Sequence, residues 1–106
     1  MYIVAFVTCA SFEEAQKIAS GLVEKKLVAC VNIIDKVSSL FWWDGKVDRA
    51  QEVLLIMKSK RTKMNQIIKT VKSGHSYKVP EIIALPIIAG YKPYLEWIDA
   101  AVRDTV

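Results

Sequence analysis

Among 106 residues the chain has one histidine, two cysteines, three prolines and four glycines. Two cysteines do not make the disulfide framework of a small secreted domain. No apolar stretch reaches the ~18 residues a bilayer-spanning helix needs, so no membrane partner is expected. The start, Met1-Tyr2-Ile3-Val4-Ala5-Phe6-Val7, lacks the basic n-region of a signal peptide and reads as a strand. A cytoplasmic location is expected. Charge of one sign is also scarce. The formal net charge of +4 permits weak attraction to anions and gives no basis for a nucleic-acid partner. No linker, repeat or low-complexity tract interrupts the chain. Hydrophobic sequence is plentiful: 53% hydrophobic beside 25% charged is the composition of an ordered globular protein. The length suits a single domain over residues 1–106.

The apolar pattern predicts a first strand over Tyr2–Thr8. Ser11 and Glu14 then have the spacing of a capping box. Ala15, Ile18, Ala19, Leu22 and Val23 follow at helical spacing, which carries a helix to about Lys26. A long apolar run from Val28 to Trp43 meets Asp44-Gly45, a strong hairpin-turn signal, and the return strand runs from Lys46 to about Lys58. Thr62 is a candidate cap for a second helix with an apolar stripe of Met64, Ile67, Ile68 and Val71. Glu81–Ala89 reads as a fourth strand, and Pro93 suits the first turn of a last helix carrying Tyr94, Trp97, Ile98 and Ala101.

That order, β-α-β-β-α-β plus a terminal helix, is the split βαβ or ferredoxin-like α+β arrangement with a long hairpin between strands 2 and 3. Right-handed crossovers give a sheet in the order 4-1-3-2. Pro86 agrees, because a proline inside a strand belongs on an edge. The expectation follows that Cys9, Cys30, Lys58 and the segment from His75 to Glu81 gather at one rim. A Cys9–Cys30 disulfide is excluded: two strand spacings make ~9.5 Å, and the bond needs Cα atoms within ~7 Å.

Both alternation sets of the strands are apolar. Ile3, Ala5 and Val7 oppose Tyr2, Val4 and Phe6 on strand 1, and strands 3 and 4 follow suit. Strands apolar on both faces are normally covered on both, so a homo-oligomer is expected. Val28–Trp43 would reach ~50 Å at ~3.3 Å per residue, which makes the hairpin tip project. Phe41, Trp42 and Trp43 at that tip are expected in a subunit interface, since aromatics are enriched in interface cores. Stacking on a base or ring ligand is the other use such residues have.

The densest group of reactive side chains is His75-Ser76-Tyr77-Lys78-Val79-Pro80-Glu81-Ile82. Together with Leu27-Val28-Ala29-Cys30-Val31-Asn32-Ile33, Phe41-Trp42-Trp43-Asp44-Gly45-Lys46, Glu52 followed by Lys58, and Tyr94-Leu95-Glu96-Trp97-Ile98, it resembles the CutA family of divalent-cation tolerance proteins over nearly the whole chain. Several members carry proline where this chain has Ser76. The resemblance implies a ferredoxin-like homotrimer whose long hairpins reach across subunits, architectural similarity to the PII signalling proteins, and a link to copper and other divalent cations. It implies no enzyme activity.

Imidazole and thiolate are good copper ligands, which makes Cys9 and His75 the candidate metal residues. They supply too few soft donors for a closed four-ligand site, so Glu81, water or a second subunit would have to add to them. Cys30, beside Ala29 and Val31, reads as a small core residue and as a cleft-lining candidate. Glu52 and Lys58 share a strand face and are further cleft-lining candidates with Tyr77 and Glu81; an ion pair across subunits is the alternative. Lys58-Ser59-Lys60-Arg61 with Lys63 forms a basic cluster. It reads as a solvated surface turn, or as a phosphate site at the second helix's N-terminus.

The leading function is therefore a trimeric divalent-cation tolerance protein that binds copper. The alternatives are a PII-like module that takes a small anion in intersubunit clefts and reports it to a protein partner, and an enzyme using His75 as acid or base. An RNA-recognition domain would need aromatics on the central strands, and an acylphosphatase would need an anion-cradling arginine loop where Thr8-Cys9-Ala10-Ser11 stands.

Overall fold

The computed structural model describes residues 1–104. Its elements are β1 (Tyr2–Cys9), α1 (Phe12–Glu24), β2 (Cys30–Trp43), β3 (Lys46–Lys60), a 3-10 turn (Arg61–Lys63), α2 (Met64–Gly74), β4 (Ile82–Pro86) and α3 (Lys92–Val102). The four strands form one antiparallel sheet in the order β2-β3-β1-β4. This is the α+β topology and the 4-1-3-2 order expected from the pattern.

The period of two sorts β1 cleanly. Ile3, Ala5, Val7 and Cys9 are buried, the last three in one cluster with α1 and α2 and with Val53, Leu55 and Met57 of β3. α1 contributes Ala15, Ile18, Ala19 and Leu22, and α2 contributes Ile67 and Val71. Each valine, leucine, isoleucine or methionine among them stabilises the fold by roughly 1.5–3 kcal/mol on burial, and each alanine by less than about 1 kcal/mol. Ile68, expected in the α2 stripe, is exposed.

Local chemistry explains the element ends. Ser11 sits in extended geometry and its Oγ accepts from the Glu14 amide at 3.1 Å. The return arm of the capping box reaches one residue further back than expected, to the Ala10 amide (3.3 Å). α1 closes with Leu27 N–H on the Leu22 carbonyl and Lys26 N–H on the Val23 carbonyl, with Lys26 left-handed at φ 58°. That is a Schellman close with lysine where glycine is usual. Thr62 does not cap α2: it lies inside the 3-10 turn, and neither that turn nor α2 has a side-chain cap. β4 is shorter than expected, ending at Pro86, with Ile87 N–H still bonded to the Tyr2 carbonyl.

The β2–β3 hairpin turns at Asp44-Gly45, both at positive φ (53° and 75°), and is bulged between Ile34 and Val37, where Lys36 takes φ 60°. The molecule measures 46 × 27 × 22 Å, its long axis reflecting this arm. On the sheet face away from α1 and α2, α3 touches one end only, through Tyr94 at Cys30 and Asp99 at Lys60. Beyond it Ile34, Ile83 and Leu85 stay 43%, 52% and 54% exposed.

One expectation about the rim fails. Cys9 pairs with Val53, whereas Cys30 pairs with Lys58, which itself faces Val4. Antiparallel pairing sets the end of β3 against the start of β1, so Cys30 and Lys58 lie at the opposite end of the sheet from Cys9. Both cysteines are free thiols.

Candidate metal centre

The end of β1, the first turn of α1 and the segment after α2 meet at one place. Cys9 is the last residue of β1 and is fully buried. His75 caps the C-terminus of α2 in extended geometry, which turns its ring onto β1. The ring, 0% exposed, has Nε2 2.7 Å from the Thr8 carbonyl oxygen, and Nδ1 accepts from the Tyr77 amide at 3.0 Å. Both partners are satisfied by one neutral tautomer, with the proton on Nε2. Glu14 joins from α1: its Oε1 accepts from the Ser76 amide at 2.8 Å, and its Oε2 lies 3.8 Å from His75 Nδ1.

Cys9, Glu14 and His75 thus present a sulfur, a carboxylate oxygen and an imidazole nitrogen within 4.8 Å of one another. Burial, then the charges of Glu14 and Glu52, push the Cys9 thiol up to about 12. Burial also raises the Glu14 carboxyl, but hydrogen bonds from Ser76 and Ala10, with His75 nearby, outweigh it and hold the group below its ordinary range. The thiol is protonated at neutral pH and the carboxylate is charged. The site therefore offers anionic potential around a proton that a cation can replace.

The donor set fits a soft or borderline cation. Thiolate and imidazole suit copper or zinc, whereas the oxygen cage that magnesium or calcium needs is missing among these three residues. Metal–donor bonds of ~2.0–2.3 Å put neighbouring ligand atoms roughly 3.5 Å apart, so these side chains need close by only ~1 Å. Nδ1 is the one histidine lone pair facing the cluster, and ligation there competes with the Tyr77 amide.

Of the candidates named from sequence, Cys9 and His75 come together, and Tyr77 and Glu52 flank them. Tyr77 packs against His75 with ring centroids 4.8 Å apart and planes tilted by 44°, and donates its hydroxyl to Glu52 Oε2 at 2.8 Å. Burial and that carboxylate push the Tyr77 phenol up to about 12. Glu81 is exposed before β4 and outside the cluster. Lys58 donates to Asn32, and the Cys30 thiol lies 3.8 Å from the Tyr94 hydroxyl, both at the far end of the sheet. Phe41, Trp42 and Trp43 stand on the projecting arm at 37%, 74% and 60% exposure. Glu14 is the member that sequence reasoning missed. The capping-box spacing explained it fully, and only its place in the first turn of α1, five residues after Cys9, hinted at more.

The CutA1 divalent ion tolerance protein family model matches residues 3–101. A rice protein named as chloroplastic CutA 1 is 41% identical over 103 residues, 97% of this chain. A Xenopus laevis CutA homolog is 46% identical over 100 residues, 94% of this chain. The chain spans 58% of the rice protein's length and 66% of the frog protein's. The solved structure of the periplasmic divalent cation tolerance protein CutA from Archaeoglobus fulgidus superposes with a TM-score of 0.93 at 45% identity, covering 97% of this chain and 100% of that one. These relatives are named for CutA or for cation tolerance rather than for a reaction; the rice protein's name places it in the chloroplast and the Archaeoglobus protein's in the periplasm. Among the described residues no helix is long and apolar enough to cross a membrane.

Proposed function

The chain belongs to the CutA1 divalent ion tolerance family, and from that premise we propose that it acts in metal tolerance as a homotrimer that takes up copper at Cys9, Glu14 and His75. The observation that carries this reading is the convergence of thiol, carboxylate and imidazole within 4.8 Å. Soft sulfur beside nitrogen selects copper over the harder divalent ions. The ion is cargo in this reading, held rather than used. His75 has both nitrogens engaged and Cys9 keeps its proton, so neither is poised as a base or nucleophile. No catalysed reaction forms part of the proposal.

Assembly rests on different residues. The open strip of Ile34, Ile83 and Leu85 and the exposed Trp42 and Trp43 favour cover by further copies of the chain. Three is the copy number that the family resemblance implies. Two free thiols set at opposite ends of the sheet suit a reducing compartment such as the cytoplasm.

A chelator-competed copper titration, under reducing and non-reducing conditions, tests the site. Cys9→Ser, Glu14→Gln and His75→Ala should each weaken binding about tenfold or more, and Cys30→Ser, at the far end of the sheet, should not. Equal affinity in all four variants would remove the site from the account.

A further inference from the structure

Within the basic cluster near Lys60, Arg61 is exposed as a solvated turn requires, but Lys63 is not. Lys63 is 8% exposed, and it lines an open cavity of about 390 Å³. Its lining includes Lys60, Thr62, Gln66, Asp99, Arg103 and Asp104. A lysine side chain packed this deeply holds its charge best beside an anion. Here the compensation comes from Asp104, 2.6 Å away, whose side chain is 88% exposed. Asp99 is better held: Lys60 and Arg103 each take one of its oxygens, at 2.6 and 2.8 Å. The 3-10 turn and α2, which begin at this cavity, carry no acidic residue in their first turns and no side-chain cap.

We infer that this cavity is a binding site for a phosphate group, in which Asp104 occupies the anion position until a ligand displaces it. Among the described residues that line it, the three cations Lys60, Lys63 and Arg103 outnumber the two acids Asp99 and Asp104 by one charge. Exchanging an exposed carboxylate for a dianion with more acceptor oxygens keeps Lys63 compensated and adds charge-assisted hydrogen bonds from it and from the Thr62 and Gln66 side chains. The volume lies at the lower end of the ~300–1,000 Å³ usual for small-molecule pockets, which leaves room for a small phosphorylated metabolite as well as for free phosphate. The site lies within one chain, shares no residue with the Cys9–Glu14–His75 cluster, and stands independently of the copper reading.

The probes are inorganic phosphate and glycerol phosphate, titrated into the full chain at low ionic strength and followed by backbone amide shifts. Asp104→Asn should tighten binding several-fold, because it removes the internal competitor. Glu96→Gln, which removes the same charge from an exposed position on α3, should leave affinity within about twofold. Lys63→Met should weaken binding roughly tenfold or more. Gln66→Glu, an exposed change that does not endanger folding, should do the same. Tighter binding of the ester than of free phosphate would identify a metabolite site, and equal binding an inorganic-phosphate site. Equal tightening by Asp104→Asn and Glu96→Gln would reduce the effect to net charge and overturn the inference. So would indifference to Gln66→Glu, or shifts outside the cavity, which would mark an adventitious ion only.

Discussion

The Cys9 corner and the β2–β3 arm handle side chains of similar promise in opposite ways. At the corner, β1, α1 and the segment after α2 satisfy one another completely. Every polar atom of His75 and Glu14 has a partner within the same chain, and Cys9 is sealed. Along the arm, Trp42 and Trp43 are mostly exposed, and Cys30 at its base is only half-buried. The corner is finished by its own subunit, and the arm is not. Chemistry in this protein is therefore to be sought where one chain folds on itself, and assembly where it leaves apolar surface uncovered.

The sharpest contrast is between the two thiols. With its thiol pushed up to about 12 from an ordinary 9, Cys9 carries roughly a thousandfold less thiolate than a free thiol at pH 8. A disulfide reagent should label Cys30 first and Cys9 only on unfolding. The same shift fixes the sign of an alkaline effect. The folded state holds this proton more tightly than the unfolded one, so stability is full below pH 9 and falls as pH rises from 9 toward 12. Cys9→Ser should flatten that fall in urea titrations. Comparable labelling of both thiols in the native protein would erase the contrast.

Removing the latch should come next in size. Glu14→Ala returns the exposed Ser76 and Ala10 amides to water, at a cost of roughly 1–2 kcal/mol in denaturant unfolding. Trp42→Ser should change the unfolding of a single subunit by no more than about 0.5 kcal/mol, because the ring is exposed. It should still loosen the oligomer in sedimentation. A large loss of subunit stability would mean that the arm is completed within its own chain after all. The smallest effect belongs to Asp99, where hydrogen bonds from Lys60 and Arg103 lower the carboxyl to about 2. This contribution is present above pH 4 and fades as pH falls through 2, and Asp99→Asn should abolish it in acid titrations.

How far the sequence reveals this plan differs between regions. Strand alternation, the Asp44-Gly45 turn and the Ser11 cap are local signals, and they lead to the observed sheet order. The failure at the rim is one of direction: Cys30 and Lys58 are correctly adjacent to each other, yet antiparallel pairing puts them opposite Val4 rather than beside Cys9. Glu14 was hidden by having a sufficient local reason to be there. Its bond to Ser76 joins positions distant in sequence, which no periodicity reports. Lys63 was hidden likewise, since a lysine in a basic run gives no sign that it packs against the fold.

The single histidine makes the central claim directly readable, because its imidazole nitrogens are the only ones of their kind in the spectrum. Nitrogen NMR should show the Nε2–H tautomer in the copper-free protein. On one equivalent of copper(I), Nδ1 should shift and the Tyr77 amide should lose its hydrogen bond. Stoichiometric copper binding with an unchanged imidazole spectrum would contradict the account.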